Sequence, residues 1–402
     1  MHVLRRIRET IRYSAAPLSF FIAVAAGQAG AAESLRDLAD KQGLLFGAAV
    51  GNVFFGADTA FKGALKREFN ALVAEYQMKF GQLQPTRDDY NWTAPDKMLA
   101  FADSNGMTVR GHCLVWHKEA SWLETTAFTR EEMYALLKEF ILKVVGRYKG
   151  RIPQWDVVNE AISNNADSLY RDTFLFRRMG SGFIDSCFRW AREADPDAKL
   201  YYNEYWNEGM GLKSDKTYDL VKGMKERGVP LDGVGLQCHF RHDSLPTFEE
   251  MDANLKRLAA LGLEVAFTEV DYRIPLPPTP EALQKQKEDY EGTLKVCLAN
   301  PNCKTFVIWG VTDAYSWIPK SYPGWGDGLI LDAAYRPKPA YYGLYTALGG
   351  SANGIRNRGQ ARRTLVPFLP RGGYGPEGRD ALGRAPAPVG GRIRSGYLPL
   401  PE

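Results

Sequence analysis

The sequence predicts an α/β protein folded as a single (β/α)8 TIM barrel, and three observations carry that prediction. Between residues 43 and 350 a short apolar run is followed, again and again, by a longer amphipathic one. Eight such units in about 300 residues fit a closed barrel better than an open doubly wound sheet. Polar and ionisable residues stand at the ends of seven of the apolar runs, which is where a barrel gathers its reactive groups. Strands alternating with helices imply parallel strands joined by right-handed crossovers. No G-x-G-x-x-G follows the first run, so the dinucleotide-binding fold lacks its best marker.

Taken in order, the candidate strands are residues 46–50, 76–80, 108–113, 154–158, 199–203, 234–239, 265–270 and 305–309. The helical pattern is clearest over 130–148, where Leu136, Leu137, Phe140, Ile141, Val144 and Val145 recur on one face. Further helices are expected at 172–193, 213–227, 247–261 and 281–298. The second strand carries Glu75 and Lys79, and the third ends in His112-Cys113-Leu114-Val115-Trp116-His117. The fourth ends in Asn159-Glu160, the fifth in Asn203-Glu204-Tyr205-Trp206 and the sixth in Gln237-Cys238-His239. The seventh ends in Glu269-Val270-Asp271 and the eighth in Trp309-Gly310, with Asp313 and Trp317 close behind. One polar residue at a strand end is often a cap or turn former. Seven strands doing it together point to a site.

Composition bounds the rest. Of 402 residues, 45% are hydrophobic, 24% charged and 12% aromatic, a globular profile that excludes collagen, a coiled coil and a wholly disordered chain. No apolar run reaches the roughly 20 residues that span a bilayer as a helix. The net charge of +4 sits at the ends: residues 1–32 carry +3, residues 351–402 carry +6, and the body between them −5. A nucleic-acid-binding body is not indicated. Residues 1–32 read as an export signal, with Arg5, Arg6, Arg8 and Arg12 ahead of an apolar stretch and Ala29-Gly30-Ala31 offering small residues for cleavage. A secreted or periplasmic location is then expected. Residues 351–402 hold ten Gly and seven Pro, too little apolar surface to offset the entropy of ordering, and are expected to be a disordered tail. The catalytic body is then 33–350. Given export, a disulfide between Cys297 and Cys303, six apart around Asn300-Pro301-Asn302, is expected. Cys113, Cys187 and Cys238 read as small buried residues.

Glu160 and Glu269 each follow an apolar strand and so stand at the barrel mouth. Two carboxyls facing across a cleft, one protonated and one ionised, are the tools of glycoside hydrolysis. Either one alone is as readily a salt-bridge partner. Trp116, Tyr205, Trp206, Trp309 and Trp317 offer flat apolar faces to pyranose rings, while Glu75, Lys79, Asn159 and Gln237 reach hydroxyls. Trp155 reads as core. The His112/His117 spacing of five does not put two ligands on one helix face, and no G-x-S-x-G elbow occurs. No metal or cofactor is expected.

These pieces resemble glycoside hydrolase family 10, the endo-1,4-β-xylanases, over essentially all of 43–348. The resemblance rests on Gly111-His112-Cys113-Leu114-Val115-Trp116-His117, on Trp155-Asp156-Val157-Val158-Asn159-Glu160-Ala161 and on Thr268-Glu269-Val270-Asp271. Trp309-Gly310-Val311-Thr312-Asp313 with Ser316-Trp317, and Tyr335-Arg336-Pro337-Lys338-Pro339-Ala340-Tyr341, complete it. It implies retaining, internal cleavage of β-1,4-xylan, with Glu160 as acid/base and Glu269 as nucleophile. It further implies that His239, held by Asp271, orients Glu269, and that Asn159 holds the sugar 2-hydroxyl. Glu75, Lys79, His112, Trp116, Gln237, Trp309 and Trp317 would line the non-reducing side of the cut, and Tyr205 would also bind substrate. Two motifs depart from the family. Tyr76 stands where the second-strand motif usually has Asn, and Asn203-Glu204-Tyr205-Trp206 replaces the usual Asn-Asp-Tyr-Asn. The alternatives are a barrel glycosidase of shifted β-glycan specificity and a non-catalytic carbohydrate-binding barrel, which would have no need of both carboxylates. A monomer acting on xylan or xylo-oligosaccharides is expected.

Overall fold

The computed structural model describes residues 33–351, apart from residue 119. The expected export signal and all but the first residue of the expected tail therefore lie outside the described residues. Eight strands form the barrel: β1 (Leu45–Val50), β2 (Ala71–Ala74), β3 (Thr108–Gly111), β4 (Gln154–Asn159), β5 (Lys199–Glu204), β6 (Gly233–Leu236), β7 (Glu264–Pro275) and β8 (Cys303–Ile308). Each pairs in parallel with the next. The ring closes where β8 pairs with β1, from Leu45 opposite Thr305 to Ala48 opposite Ile308. Strands covered on both faces need near-continuous apolar runs, and these strands are buried almost throughout.

Helices follow the strands outside the ring: Thr59–Glu68, Thr93–Ser104, Arg130–Arg147, Gly182–Ala194, Leu212–Glu226, Phe248–Ala260, Pro280–Ala299 and Pro339–Ala347. Their starts are chemically marked. Thr129 with Glu132 and Thr247 with Glu250 form reciprocal capping boxes, each satisfying two otherwise orphaned N–H groups. Thr279 caps the helix that Pro280 opens, where the missing N–H costs nothing.

Three expectations need correction. The second strand is Ala71–Ala74, not 76–80; residues 76–79 form the loop beyond it, and Phe80–Leu83 is a helical turn. Small apolar residues suffice for a strand that is covered on both sides, whereas the stretch from Tyr76 to Lys79 alternates polarity because it faces the mouth. The helix expected at 172–193 is two, Phe174–Met179 and Gly182–Ala194, broken at Gly180 with φ 68°. The sixth strand stops at Leu236; Cys238 has φ 64°, and a separate short strand, His239–Arg241, pairs with the outer half of β7.

Cys297 and Cys303 are disulfide-bonded, tying the helix Pro280–Ala299 to the start of β8, and Cys113, Cys187 and Cys238 are buried and take no part in that disulfide. Trp155 is core, as expected. At the other end of the described chain, the buried Glu68 carboxylate accepts from the Leu35 N–H (3.1 Å) and from the Tyr341 hydroxyl (2.8 Å). It thereby joins the helix ahead of β1 to the helix that follows β8.

Candidate active site

Glu160 sits just past a bulge in its strand, and Glu269 sits inside one in its own. On β4, Asp156 pairs with Tyr201 but Val158 pairs with Tyr202, so one residue is extra. On β7, Phe267 pairs with Phe306 and Val270 with Ile308, again one extra. Side chains on a strand alternate strictly, and a bulge breaks the alternation and re-aims the side chains beyond it. The consequence is visible at Asn203. Its amide donates to Glu269 Oε1 (2.8 Å) while its carbonyl accepts from the Thr268 hydroxyl (2.7 Å). Adjacent residues 268 and 269 thus reach one side chain, which an unbroken strand forbids. Glu160 itself has φ 58°, a conformation costly for a residue with a Cβ and concentrated at functional sites.

One amide cluster links the two acids. Asn203 Nδ2 also donates to Asn159 Oδ1 (2.8 Å), and Asn159 Nδ2 donates to Glu160 Oε1 (3.1 Å). Gln237 Nε2 donates to the same Glu160 oxygen (3.0 Å). Glu269 is held on its other side by His239. Burial alone would lower this ring, but Asp271 and then Glu269 push it up to about 10, so both ring nitrogens carry protons at neutral pH. Nδ1 donates to Asp271 Oδ2 (3.0 Å) and Nε2 to Glu269 Oε2 (3.1 Å). Asp271 Oδ2 also accepts from the Trp317 indole (2.8 Å). His112 lies beneath, its Nδ1 on Asp156 (2.9 Å) and its Nε2 3.9 Å from Glu269 Oε1. Asp156 in turn pairs with Arg110 inside the barrel.

Glu160 has a different setting. His117 Nδ1 lies 3.4 Å from its Oε2 and Arg171 Nη2 3.9 Å. Burial pushes the carboxyl up, but His117, Trp116, Gln237 and Arg171 together hold it down at about 2. The His117 contribution requires a charged ring, and burial pushes that ring down to about 4. In the neutral range His117 is therefore uncharged, and its share in opposing the burial of Glu160 falls away. Two carboxyls in unlike environments are what acid/base division of labour needs.

The remaining expected residues ring this centre. Glu75 follows β2, is pushed up first by burial and then by Glu269, and lies so close to Gly51 that a Cβ there would meet its Oε2 at 2.4 Å. Lys79 Nζ stands 4.1 Å from the centre of the Trp116 ring. Trp309 packs edge-on against His112 and His239. With Glu75 it lines a cavity of about 270 Å³ between the β1 and β8 loops. Tyr205 lies on the Glu160 side, its hydroxyl accepting from Arg171 Nη2 (2.7 Å).

The Glycosyl hydrolase family 10 profile matches residues 34–347. The chain belongs to glycosyl hydrolase family 10. Its family 10 relatives include endo-1,4-β-xylanase B of Thermotoga neapolitana, 40% identical over 77% of this chain and 90% of that protein. Endo-1,4-β-xylanase 5 of Pyricularia oryzae is 36% identical over 81% of each chain. Among solved structures, xylanase 10B of Thermotoga petrophila in complex with xylobiose superposes with a TM-score of 0.76 at 41% identity, covering 78% of this chain and 97% of that one. Native xylanase 10B of Thermotoga maritima gives the same TM-score at 42% identity over 78% and 98%.

All the site residues expected from the sequence of this family 10 chain surround one mouth. Four further residues lie beyond that set, one of them His117 beside Glu160. Asn203 bridges the carboxylates, Arg171 reaches Glu160 from the loop after β4, and Asp156 supports His112. A signal for Asn203 and Asp156 exists, since a polar residue inside an apolar barrel strand needs a buried partner. Arg171 lies in a loop, where sequence gives no aim.

Proposed function

We propose that this chain is a retaining endo-1,4-β-xylanase that uses Glu160 as acid/base and Glu269 as nucleophile. The observation that carries the reading is the Asn203–Asn159–Gln237 amide cluster, which ties both carboxylates into one rigid constellation beside a cationic His239. Retention asks for carboxyl groups about 5–5.5 Å apart, against a wider gap for inversion. In the first step Glu160 gives its proton to the glycosidic oxygen while Glu269 attacks the anomeric carbon and forms a glycosyl ester. A sugar in the cleft excludes water from Glu160, which favours its protonated form. Once Glu269 is esterified it no longer balances the His239 charge, but Asp271 still does, so the ring stays paired through the cycle. Glu160, now ionised, takes a proton from water, which attacks the same carbon. Asn159 binds the 2-hydroxyl, a contact that strengthens as the ring flattens. No cofactor enters this chemistry.

We also take residues 1–32 as an export signal, and the chain as a secreted or periplasmic monomer. Among the described residues no helix is long and apolar enough to cross a membrane.

The test is digestion of xylan, mixed-linkage glucan and carboxymethyl-cellulose side by side, with the anomer of the first product read by NMR. A ladder of xylo-oligosaccharides from xylan, born as the β-anomer, is expected. Single xylose units only, or an α-anomer, would reject internal retaining cleavage. Glu269→Gln should lose several orders of magnitude in kcat while keeping its Tm within a few degrees. Undiminished turnover would remove Glu269 from the nucleophile role.

A further inference from the structure

Trp206 takes no part in the bonds that hold the two carboxylates. Its side chain is 56% exposed, more than any other large apolar side chain among the described residues. Its φ of 58° lies in the left-handed region that bulky residues avoid and that Asn, the residue usual in the family motif, tolerates. A large ring is thus held in water on a strained backbone, a double cost that loop packing does not repay.

The platform is rigid. On one shoulder, the Tyr205 hydroxyl accepts from Asn164 (2.8 Å) and Arg171 (2.7 Å), and Lys213 Nζ lies 3.7 Å from the Tyr205 ring centre. On the other, Asn254 Nδ2 donates to the Asn207 carbonyl (2.7 Å), and the Glu208 carboxylate accepts from the Cys238 N–H (2.8 Å) and the Trp206 N–H. The Trp206 and Tyr205 rings stand 5.2 Å apart at 78°. Both lie on the Glu160 side, since Arg171 bonds Tyr205 and faces Glu160. Glu75, Trp309 and Trp317 gather on the Glu269 and His239 side. The acid protonates the leaving sugar, so the Glu160 side receives the departing chain.

We propose that Trp206 is an added stacking subsite for a xylose ring of the leaving chain, one position beyond Tyr205, and that it makes this enzyme favour long substrates over short ones. The proposal rests on the xylanase reading above. A preorganised aromatic face binds a sugar ring without an ordering cost.

The experiment compares wild type, Trp206→Asn and Trp206→Phe on xylohexaose and on 4-nitrophenyl β-xylobioside, whose leaving group ends at the first position past the cut. The ratio of kcat/KM on xylohexaose to that on the aryl glycoside should fall about 3- to 10-fold in Trp206→Asn, the range expected for loss of one aromatic contact. Trp206→Phe should recover most of it. The Tm of Trp206→Asn should equal or exceed that of wild type, because Asn suits the backbone, so a lost ratio cannot be blamed on unfolding. An unchanged ratio would overturn the subsite. So would a change of oligomeric state on gel filtration at unchanged ratio, which would make Trp206 with the exposed Met210 and Leu212 a self-association face. A wild-type chain that cleaves neither substrate would overturn the xylanase reading itself, and the subsite with it.

Discussion

At the residue scale the decisive group is His239, because it turns a pair of carboxylates into an asymmetric pair. Burial works against its charge, and the two acids flanking it, Asp271 foremost, more than compensate and lift the ring to about 10. A folded value above the ordinary 6.5 of the unfolded chain means that the folded state binds the proton more tightly. The stability this contributes is complete below pH 6.5 and disappears as pH rises from 6.5 to about 10. Replacing Asp271 with Asn keeps an acceptor for His239 and Trp317 but removes the foremost charge raising the ring. The expected outcome is a Tm deficit relative to wild type that is largest near pH 6.5 and narrows toward pH 10, and an alkaline limb of kcat/KM moved acidward by about one pH unit or more. Thermal scans and pH–rate profiles check this; a Tm deficit constant over that window would show that Asp271 acts by packing alone. The acid side is governed by His117, whose folded value of about 4 lies below its unfolded one. The unfolded chain therefore takes up that proton first, and stability falls as pH drops from 6.5 to about 4.

At the level of elements, the site depends on how strands deviate from regularity. Asn203 on β5 faces Gly235 on β6, and a Cβ at 235 would sit 2.1 Å from Asn203 Oδ1. Only glycine lets the Asn203 amide cross the barrel and hold Asn159 and Glu269. Gly235→Ala is expected to cost about 1–3 kcal/mol of stability, as overpacking does. It should also lower kcat by roughly 10²-fold through misplacement of Glu269, a fall such as small displacements produce. Urea unfolding with kinetics on xylan separates the two; a lost stability with full kcat would mean that Asn203 does not position the acid. The same features mark the border of what sequence can convey. The reactive ends of β4 and β7 are legible, because apolar runs ending in Asn-Glu and Glu-Val-Asp can be counted. The bulge ahead of Glu160 and the one that holds Glu269 are not, since an extra residue in one strand is defined only against its neighbour's register. Asn203 therefore reads as a strand end but not as a bridge. The second strand is misplaced for a related reason: four small apolar residues give no periodicity, and Tyr76 to Phe80 imitate an alternating strand.

At the largest scale the described residues form a ring, and a ring needs a seam that holds. β8 pairs with β1, the disulfide anchors the start of β8, and the helix Pro339–Ala347 packs beside Pro280–Ala299. Glu68 completes the closure, since its one buried carboxylate receives the Leu35 N–H ahead of the barrel and the Tyr341 hydroxyl behind it. Closure is foreseeable from eight strand–helix units; this contact is not, because its partners lie 33 and 273 residues away. Glu68→Ala removes the acceptor of the buried Leu35 N–H and the bond to the Tyr341 hydroxyl, a loss of about 1–3 kcal/mol. Glu68 lies at the end of the helix before β2, at the foot of the barrel and away from the strand ends that carry Glu160 and Glu269. The expected variant therefore unfolds at a lower urea midpoint with kcat and KM on xylan unaltered in buffer. A drop in kcat that parallels the loss of stability would mean that closure at the foot of the ring sets the geometry at its mouth, and that the barrel transmits strain along its strands rather than isolating its site from its seam.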